Sequence, residues 1–581
     1  MQLRKFDISS LKGKLAKIRD WMTNHSLPPK LVFILMGIIS TIWFLIRVIP
    51  KPSRASYPCM RVAAPMMSGF VLYLLAIAGI TAASRKSGRK IFNVRYWSTA
   101  LLLTGVVIAM AIAPSNNIET IVEDADTYAG PADSPNSPIG EARGIYPGRV
   151  VWVWNPDATN EKFEHNDVDA YQYFPFPDNN NSEVIAKMFR DGVLKLTGKK
   201  SPDKAWDAIF RYYNKNKSNK DKGYTKGEKI FIKINQGQAG WLLTRDDKAK
   251  GNVVPRTLAP NDGKRKNLLP TETGPYAILE MLRELVNDYK VDQNDIYIGD
   301  PMNPIYAHNY DVWVKEFPQV HYIDKTTTNF GRTQVKFTEK TLVYYSDKKI
   351  TDKLMDIHED ATYMITSAVL KPHGAAGISL TAKSNFGNVG RSGAHHLHYS
   401  HLATQREGSP NNIGYKKYRC LVDLMGSQYL GQKNVFLFVE GLFGGGSDEV
   451  KGPVKYFMPP FNNDWCNSLF MSLDQVAIES VGFDFLRTEW NGKRTHDQVN
   501  AAWEAISSIR GVDDYIHQAA DSKNWPDGIT YDPDGSGKPI PSLGVHEHWN
   551  NENDKQYSRN LGNGKGIELV SIPANLVKGG K

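Results

Sequence analysis

Three long apolar runs within the first 113 residues constrain this chain more than any other feature. They cover residues 31–45, 62–83 and 97–113, and none of them contains a charged side chain. A helix needs about 20 apolar residues to cross the hydrocarbon core of a bilayer. The second run reaches this length and the other two are near the short limit, so we predict three transmembrane helices and a lipid bilayer as partner. A buried helical hairpin is the alternative.

Basic residues flank these runs unequally and predict their orientation. Residues 1–30 contain seven Lys or Arg, and residues 84–96 contain five. Cytoplasmic flanks are enriched in such residues, which places both segments in the cytoplasm. Opposing this, the first loop carries Lys51, Arg54 and Arg61. With three spans, we predict a protein of the bacterial cytoplasmic (inner) membrane whose large C-terminal domain is periplasmic or extracytoplasmic.

Charge and cysteine content exclude two classes of function. The net charge is +10 at pH 7, but much of it flanks the apolar runs and the rest is dispersed among acidic residues, so we predict no nucleic-acid partner. The three cysteines form no CxxC pair, which excludes a zinc ribbon and a cysteine-ligated iron–sulfur cluster. Cys420 and Cys466 are predicted either to form one disulfide or to be buried free thiols.

The distribution of turn residues and apolar segments predicts six regions. Gly-Pro and Ser-Pro pairs mark a linker after the apolar runs, and a large globular domain follows it. The predicted regions are a basic cytoplasmic segment (1–30), three transmembrane helices (31–113), the linker (114–148), the N-terminal part of the globular domain (149–228), an α/β core (229–490) and a C-terminal extension packed on that core (491–581).

Strand-like and helix-like segments alternate through the large domain. This order is typical of an α/β fold, and we predict a mostly parallel, Rossmann-like sheet flanked by helices. The predicted strands are residues 149–154, 229–234, 295–298, 361–370 and 434–439. The predicted helices are residues 182–196, 201–213, 275–289, 415–429 and 474–486, and residues 214–228 are predicted to form a surface loop.

Polar residues follow several of the predicted strands. Ligands of open α/β sheets bind beyond the carboxyl ends of the strands. We therefore expect the side chains there to meet at a ligand site. The predicted ligand-binding residues are Lys233, Asn235, Asp300, Asn385 and Glu440, and the predicted catalytic residues are Lys371, His373 and Lys383.

Histidines are concentrated in one glycine-rich stretch. Five of the 14 lie within residues 373–401, and closely spaced imidazoles can bind a divalent metal. The cations in the same stretch favour an anionic ligand instead, and a structural loop is the third interpretation. A separate His-x-His pair has a common metal-ligand spacing. The candidate metal ligands are therefore His373, His395, His396, His398, His401, His546 and His548.

Several of these motifs, in this order, resemble the bacterial and archaeal domain-of-unknown-function family 362. The resemblance covers about residues 229–490 and rests on Lys233-Ile-Asn, Gly299-Asp, Lys371-Pro-His, Lys383-Ser-Asn-Phe-Gly, Glu440-Gly and residues 472–479. It implies the α/β fold class and no particular activity. The chain lacks the cysteines of the ferredoxin-like module that many members carry. It also has Glu440 where many have Asp, and an inserted Ser384.

These observations lead to two hypotheses of function. The first is a membrane-anchored α/β protein that binds a divalent metal or a small anionic ligand. If it is an enzyme, His373 would be a metal ligand or general base, and Lys371 and Lys383 would stabilise an anion. The second is a non-catalytic accessory or scaffold subunit that docks to other membrane proteins.

Overall fold

The computed structural model of the protein describes residues 41, 134–164, 174–237, 271–324, 331–402, 412, 414–446, 452–491, 494, 496 and 511–579. The chain divides into two units, Met1–Val122 and Glu123–Lys581, and the elements below belong to the second. Apart from residue 41, the three predicted transmembrane helices lie outside the described residues. Within the described part, no helix combines the length and apolar character needed to cross a membrane.

Nine strands form one large sheet, and four short strands form two separate pairs. The strands are β1 Ile139–Gly140, β2 Arg149–Trp154, β3 Ile230–Lys233, β4 Ile296–Gly299, β5 His321–Asp324, β6 Thr333–Gln334, β7 Tyr363–Val369, β8 Pro372–His373, β9 Gly377–Ile378, β10 Asn434–Gly441, β11 Ser468–Ser472, β12 Val545–His546 and β13 Glu568–Ile572. The large sheet has the order β13-β2-β11-β10-β7-β3-β4-β5-β6. Among the described strands of this sheet, only the two pairings of β11 are antiparallel. The sheet is therefore mostly parallel.

Helices cover both faces of this sheet. They are α1 Ser182–Thr197, α2 Pro202–Ser218, α3 Tyr276–Arg283, α4 Ala307–Glu316, α5 Ile357–Asp360, α6 Thr381–Ser384, α7 Cys420–Gly426, α8 Gln475–Glu489 and α9 Asp514–Ala520. A π-helical turn, Glu284–Asp288, continues α3. Short 3-10 helices include Asn385–Asn388 and Ser392–Ser400.

The two faces of the sheet bury separate apolar cores. Side chains alternate between the faces of a strand, so in β2 Trp152 enters the core under α8, while Val151 and Val153 enter the core under α1 and α2. Trp152 packs against Phe485 of α8 with ring centroids 4.9 Å apart. Burial on both faces explains the nearly continuous apolar sequence of the central strands, as expected for parallel sheets.

The structure confirms a mixed α/β domain with a mostly parallel sheet flanked by helices. Several bounds differ from the predictions. Helix α2 continues to Ser218, into the predicted loop, and is capped by Asn219, whose backbone is left-handed. Helix α7 is shorter than predicted. Strands β5, β11 and β13 were not predicted. Cys420 and Cys466 are buried free thiols.

Candidate functional site

The carboxyl ends of four neighbouring parallel strands bring predicted site residues together. Lys233 ends β3 and Asp300 follows β4, and these strands pair in parallel. Lys233 Nζ lies 3.3 Å from Asp300 Oδ1, and both side chains are buried. The other oxygen of Asp300 accepts a hydrogen bond from the backbone N–H of Gln236. Burial lowers the pKa of Lys233, and the Asp300 carboxylate opposes that effect.

A short segment, residues 271–274, contacts the ends of three of these strands. Lys371 Nζ donates to the carbonyl oxygen of Thr271 at 2.7 Å, and the backbone N–H of Asn235 donates to Thr273 Oγ1 at 2.9 Å. The Gly274 N–H lies 3.2 Å from each carboxyl oxygen of Glu440. Burial raises the pKa of Glu440 to about 8, which favours the neutral form of this carboxyl at pH 7.

The Lys-Ser-Asn-Phe-Gly motif packs against the same strand ends. Lys233 Nζ lies 3.5 Å from Ser384 Oγ. The side chain of Asn385 donates to the Thr381 carbonyl at 3.4 Å. A Cβ added at Gly387 would lie 2.5 Å from Asp300 Oδ1 and 2.8 Å from Lys233 Nζ. Only glycine fits so close an approach, which explains its place in the motif.

Four of the five histidines of residues 373–401 gather beside this motif, and we call them the imidazole cluster: His373, His395, His398 and His401. The ring centroids of His398 and His401 are 4.5 Å apart. The ring centroids of His373 and His401 are 5.7 Å apart. His395 is exposed to solvent, and its ring centroid lies 5.7 Å from that of His398. The fifth histidine, His396, instead contacts the buried Asp352 carboxylate at 2.7 Å.

Hydrogen bonds and burial set the protonation of this cluster. His373 Nδ1 accepts from the N–H groups of Ala375 and Ala376, each at 3.1 Å, so its Nε2 carries the proton. His398 Nδ1 lies 3.1 Å from the carbonyl oxygen of Ala394 and donates to it. Burial lowers the pKa of His398 to about 3, and Lys383 and His373 act in the same direction. The imidazole of His398 is therefore neutral.

A second group of ligand atoms lies on the face of the sheet covered by α8. Asp513, His546 and His548 are buried, and their candidate ligand atoms all lie within 4.8 Å of one another. His546 is in β12, and His548 follows two residues later. The alternation of an extended chain directs both to one side. Glu547 points elsewhere and accepts from Ser558 Oγ at 2.6 Å.

Helix α8 orients both imidazoles of this group. His546 Nδ1 lies 2.8 Å from Ser480 Oγ, and His548 Nδ1 lies 2.7 Å from Asp484 Oδ1. Ser480 and Asp484 are four residues apart and therefore lie on one helix face. With Nδ1 held in this way, Nε2 is the nitrogen that each histidine presents to the shared centre.

His517 and the carboxylates of Asp513 and Asp484 lie next to the two histidines. His517 Nε2 lies 3.7 Å from Asp513 Oδ2, and its ring is 4.6 Å from that of His546. His548 Nε2 lies 3.3 Å from the same Asp513 oxygen. Burial acts to lower the pKa of His548, but Asp484 and Asp513 outweigh it and raise the pKa to about 9.

His546 and His548 were predicted as metal ligands from the sequence, whereas Asp513 and His517 were not. The His-x-His pair was visible as a motif. Asp513 and His517 also have a recognisable spacing, since residues four apart on a helix share a face, but nothing in the sequence connects them to residues 546–548. Comparisons with protein-family models, curated proteins and solved structures find no match for this chain.

Proposed function

We propose that this chain is a membrane-anchored metal-binding protein that holds a divalent transition-metal ion at Asp513, His546 and His548. The convergence of these three ligand atoms within 4.8 Å, in the interior of the domain, carries the proposal. The membrane anchor rests on the three apolar runs and on the basic residues that flank them.

The donor set favours a first-row transition metal. Two imidazoles and one carboxylate suit zinc, iron or nickel, whereas calcium and magnesium prefer oxygen ligands. His517 lies beside this group, with its Nε2 3.7 Å from the Asp513 carboxylate, but it is not among the ligand atoms that converge. Among the described residues, Cys420 and Cys466 take no part in this group, so a thiolate-rich site is not expected.

Contacts of the two histidines also support metal binding. A histidine that binds a metal usually engages its other ring nitrogen with a carboxylate, hydroxyl or carbonyl, which fixes its orientation. Asp484 and Ser480 supply such partners to His548 and His546. These contacts support the proposal, because they hold both rings with Nε2 towards the shared centre.

Burial indicates how the metal would act. Asp513, His546 and His548 are all at most 3% exposed. Protein-filled, closed sites are typical of structural metals, whereas catalytic metals keep a position open to substrate. The ion would join the start of α9 to the segment after β12, with α8 orienting the ligands. We infer that it stabilises this side of the domain.

A proton is the competing occupant of the site. A protonated His548 between Asp484 and Asp513 would balance the buried charges without any metal. Elemental analysis by mass spectrometry of the full-length chain, purified in detergent without a polyhistidine tag, separates the two cases. We expect about one transition-metal ion per chain.

Variants locate the metal. His546→Gln and His548→Gln should each lose it. His396→Gln is the matched control, because His396 also contacts a buried carboxylate at 2.7 Å but lies outside the group, and it should keep the metal. Circular dichroism checks that each variant is folded. Folded wild-type protein that takes up neither Zn²⁺ nor Fe²⁺, or a His546→Gln, His548→Gln double variant that keeps its metal, would contradict the proposal.

A further inference from the structure

We infer that an ion in the proposed metal site restrains residues 414–419 and, through Arg419, the 3-10 helix Ser392–Ser400. We call residues 414–419 the connecting segment. The inference rests on the proposed function and deepens it, because metal occupancy would then regulate a second part of the domain, which includes part of the imidazole cluster. Two neighbouring carboxylates at the start of α9 make the connection, Asp513 and Asp514.

The carboxylate of Asp513 contacts both the proposed metal site and the connecting segment. Its Oδ2 lies 3.3 Å from His548 Nε2, within the group of candidate ligand atoms. Its Oδ1 accepts a hydrogen bond from the hydroxyl of Tyr415 at 3.0 Å. An ion bound to this carboxylate would therefore also fix the acceptor of Tyr415.

The next residue, Asp514, binds the backbone of the connecting segment. Its carboxylate accepts from the N–H groups of Lys416 and Lys417, at 2.9 and 3.3 Å. Gln518, one turn later on α9, donates to the carbonyl oxygen of Lys417 at 2.6 Å. The connecting segment forms neither a helix nor a strand, so its position depends on these contacts with α9.

Arg419 extends the connection to the 3-10 helix Ser392–Ser400. Its guanidinium is buried and donates from Nε to Asp514 at 2.8 Å. Nη1 donates to the carbonyl oxygen of Ser400 at 3.1 Å, and Nη2 donates to that of Gly414 at 2.9 Å. Separating a buried ion pair is strongly unfavourable, because it leaves an uncompensated charge. We therefore expect α9, the connecting segment and the end of the 3-10 helix to move together.

Mass action predicts the size of the effect. A ligand that binds only the closed form suppresses every opening that must release it, by a factor that grows with the ratio of ligand concentration to Kd. Any opening of the connecting segment that displaces Asp513 belongs to this class. Motions that leave Asp513 in place are independent of the metal. The response to metal concentration therefore distinguishes the two kinds of motion.

Hydrogen–deuterium exchange of the full-length chain in detergent, with Zn²⁺ set by a metal buffer, tests the inference. At a Zn²⁺ concentration about 100 times its Kd, exchange that requires release of the ion should slow by about 100-fold. We expect this slowing in the connecting segment and in Ser392–Ser400. The amides of α1, which pack in the core on the other face of the sheet, should be unaffected. Elemental analysis of the same samples gives their metal content.

Two conservative variants test the role of Arg419. Arg419→Lys keeps the buried charge but not the planar fork that reaches several acceptors. It should bind Zn²⁺ and lose the slowing in Ser392–Ser400. Arg391→Lys is the matched control, because Arg391 also contacts a buried carboxylate at 2.9 Å and directly precedes the same 3-10 helix, but its partner is Asp352. It should keep the slowing.

The possible results separate this inference from the proposed function. Bound Zn²⁺ with slowing confined to the neighbours of its ligands would overturn the inference and leave the proposed function intact. A folded chain that takes up no Zn²⁺ would overturn both. Equal slowing of Ser392–Ser400 in wild type and Arg419→Lys would overturn the role of Arg419. If Arg419→Lys does not fold, the wild-type comparison with and without Zn²⁺ still decides whether the metal restrains these residues.

Discussion

At the scale of single residues, Glu440 shows how the interior controls ionisation. Its carboxyl is buried at the end of β10, with the Gly274 N–H as hydrogen-bond donor. Burial raises its pKa from 4.5 to about 8. The folded protein thus keeps this proton to a higher pH than the unfolded chain does. The resulting stabilisation is full below about pH 4.5 and is lost as the pH rises to about 8.

Replacing Glu440 by Gln should remove this pH dependence. Between about pH 5 and pH 8, a single such group changes the free energy of unfolding by up to about 1.4 kcal/mol per pH unit. The melting temperature of wild-type protein should therefore fall relative to that of Glu440→Gln as the pH rises. Glu183→Gln is the control, because Glu183 is exposed on α1. If the melting temperatures of wild type and Glu440→Gln changed equally with pH across this range, Glu440 would ionise normally and the prediction would be wrong.

Individual residues also show which positions of the candidate sites could be predicted from the sequence. Lys233, Asp300 and Glu440 were placed at strand ends because each follows a recognisable apolar run. His396 was grouped with its neighbours in sequence, yet it contacts Asp352. Neighbours in a 3-10 helix point in different directions, so closeness in sequence did not give closeness in space.

At the scale of elements, α8 connects the two candidate sites. Glu479 accepts a hydrogen bond from the N–H of Ala382, next to Lys383, and from Tyr515 of α9 at 2.6 Å. The residues that follow include Ser480 and Asp484, which contact the two histidines of the proposed metal site. The position of α8 therefore affects both sites.

Asp474 fixes the start of this helix. Its side chain accepts from the backbone N–H groups of Val476 and Ala477 at 3.0 Å each. It also accepts from the N–H groups of Arg143 and Val545, at 2.8 and 3.3 Å. One buried carboxylate therefore caps α8 and holds β12, which carries His546.

Asp474→Ala should be far more destabilising than the loss of an ordinary cap. Four buried or half-buried donors lose their acceptor, and we expect a loss of at least about 3 kcal/mol in the free energy of unfolding. Asn181→Ala is the comparison, because Asn181 caps α1 through one bond of 3.3 Å at the surface, and it should cost about 1 kcal/mol. Urea denaturation measures both. Equal losses would contradict the role given to Asp474.

At the scale of the whole molecule, one sheet collects strands from distant parts of the chain. Parallel β13 and β2 pair residue 568 with residue 149. Long apolar strands such as β7 and β10 were predictable because burial on both faces leaves a continuous apolar run. β13 is only five residues long and begins at a half-buried Glu568 that pairs with Arg149, so no long apolar run marks it. The pairing of β13 with β2 could not be predicted from the sequence, because the two strands lie in distant parts of the chain.

The same limit applies to the proposed metal site. His546 and His548 were predictable because they form a local motif, but Asp513 lies 33 positions before His546. Ser480 and Asp484 of helix α8, which contact the two histidines, lie 66 and 64 positions before them. Such a site depends on tertiary packing, which no local spacing encodes.

X-ray absorption spectroscopy of the full-length chain, purified with its metal, tests the central claim most directly. We predict nitrogen and oxygen ligands at about 2.0–2.1 Å, together with the outer-shell scattering of at least two imidazoles and no sulfur. The imidazole contribution should fall in His546→Gln protein reloaded with the metal. Sulfur at about 2.3 Å, or a preparation with no metal absorption edge, would contradict the assignment of the site to Asp513, His546 and His548.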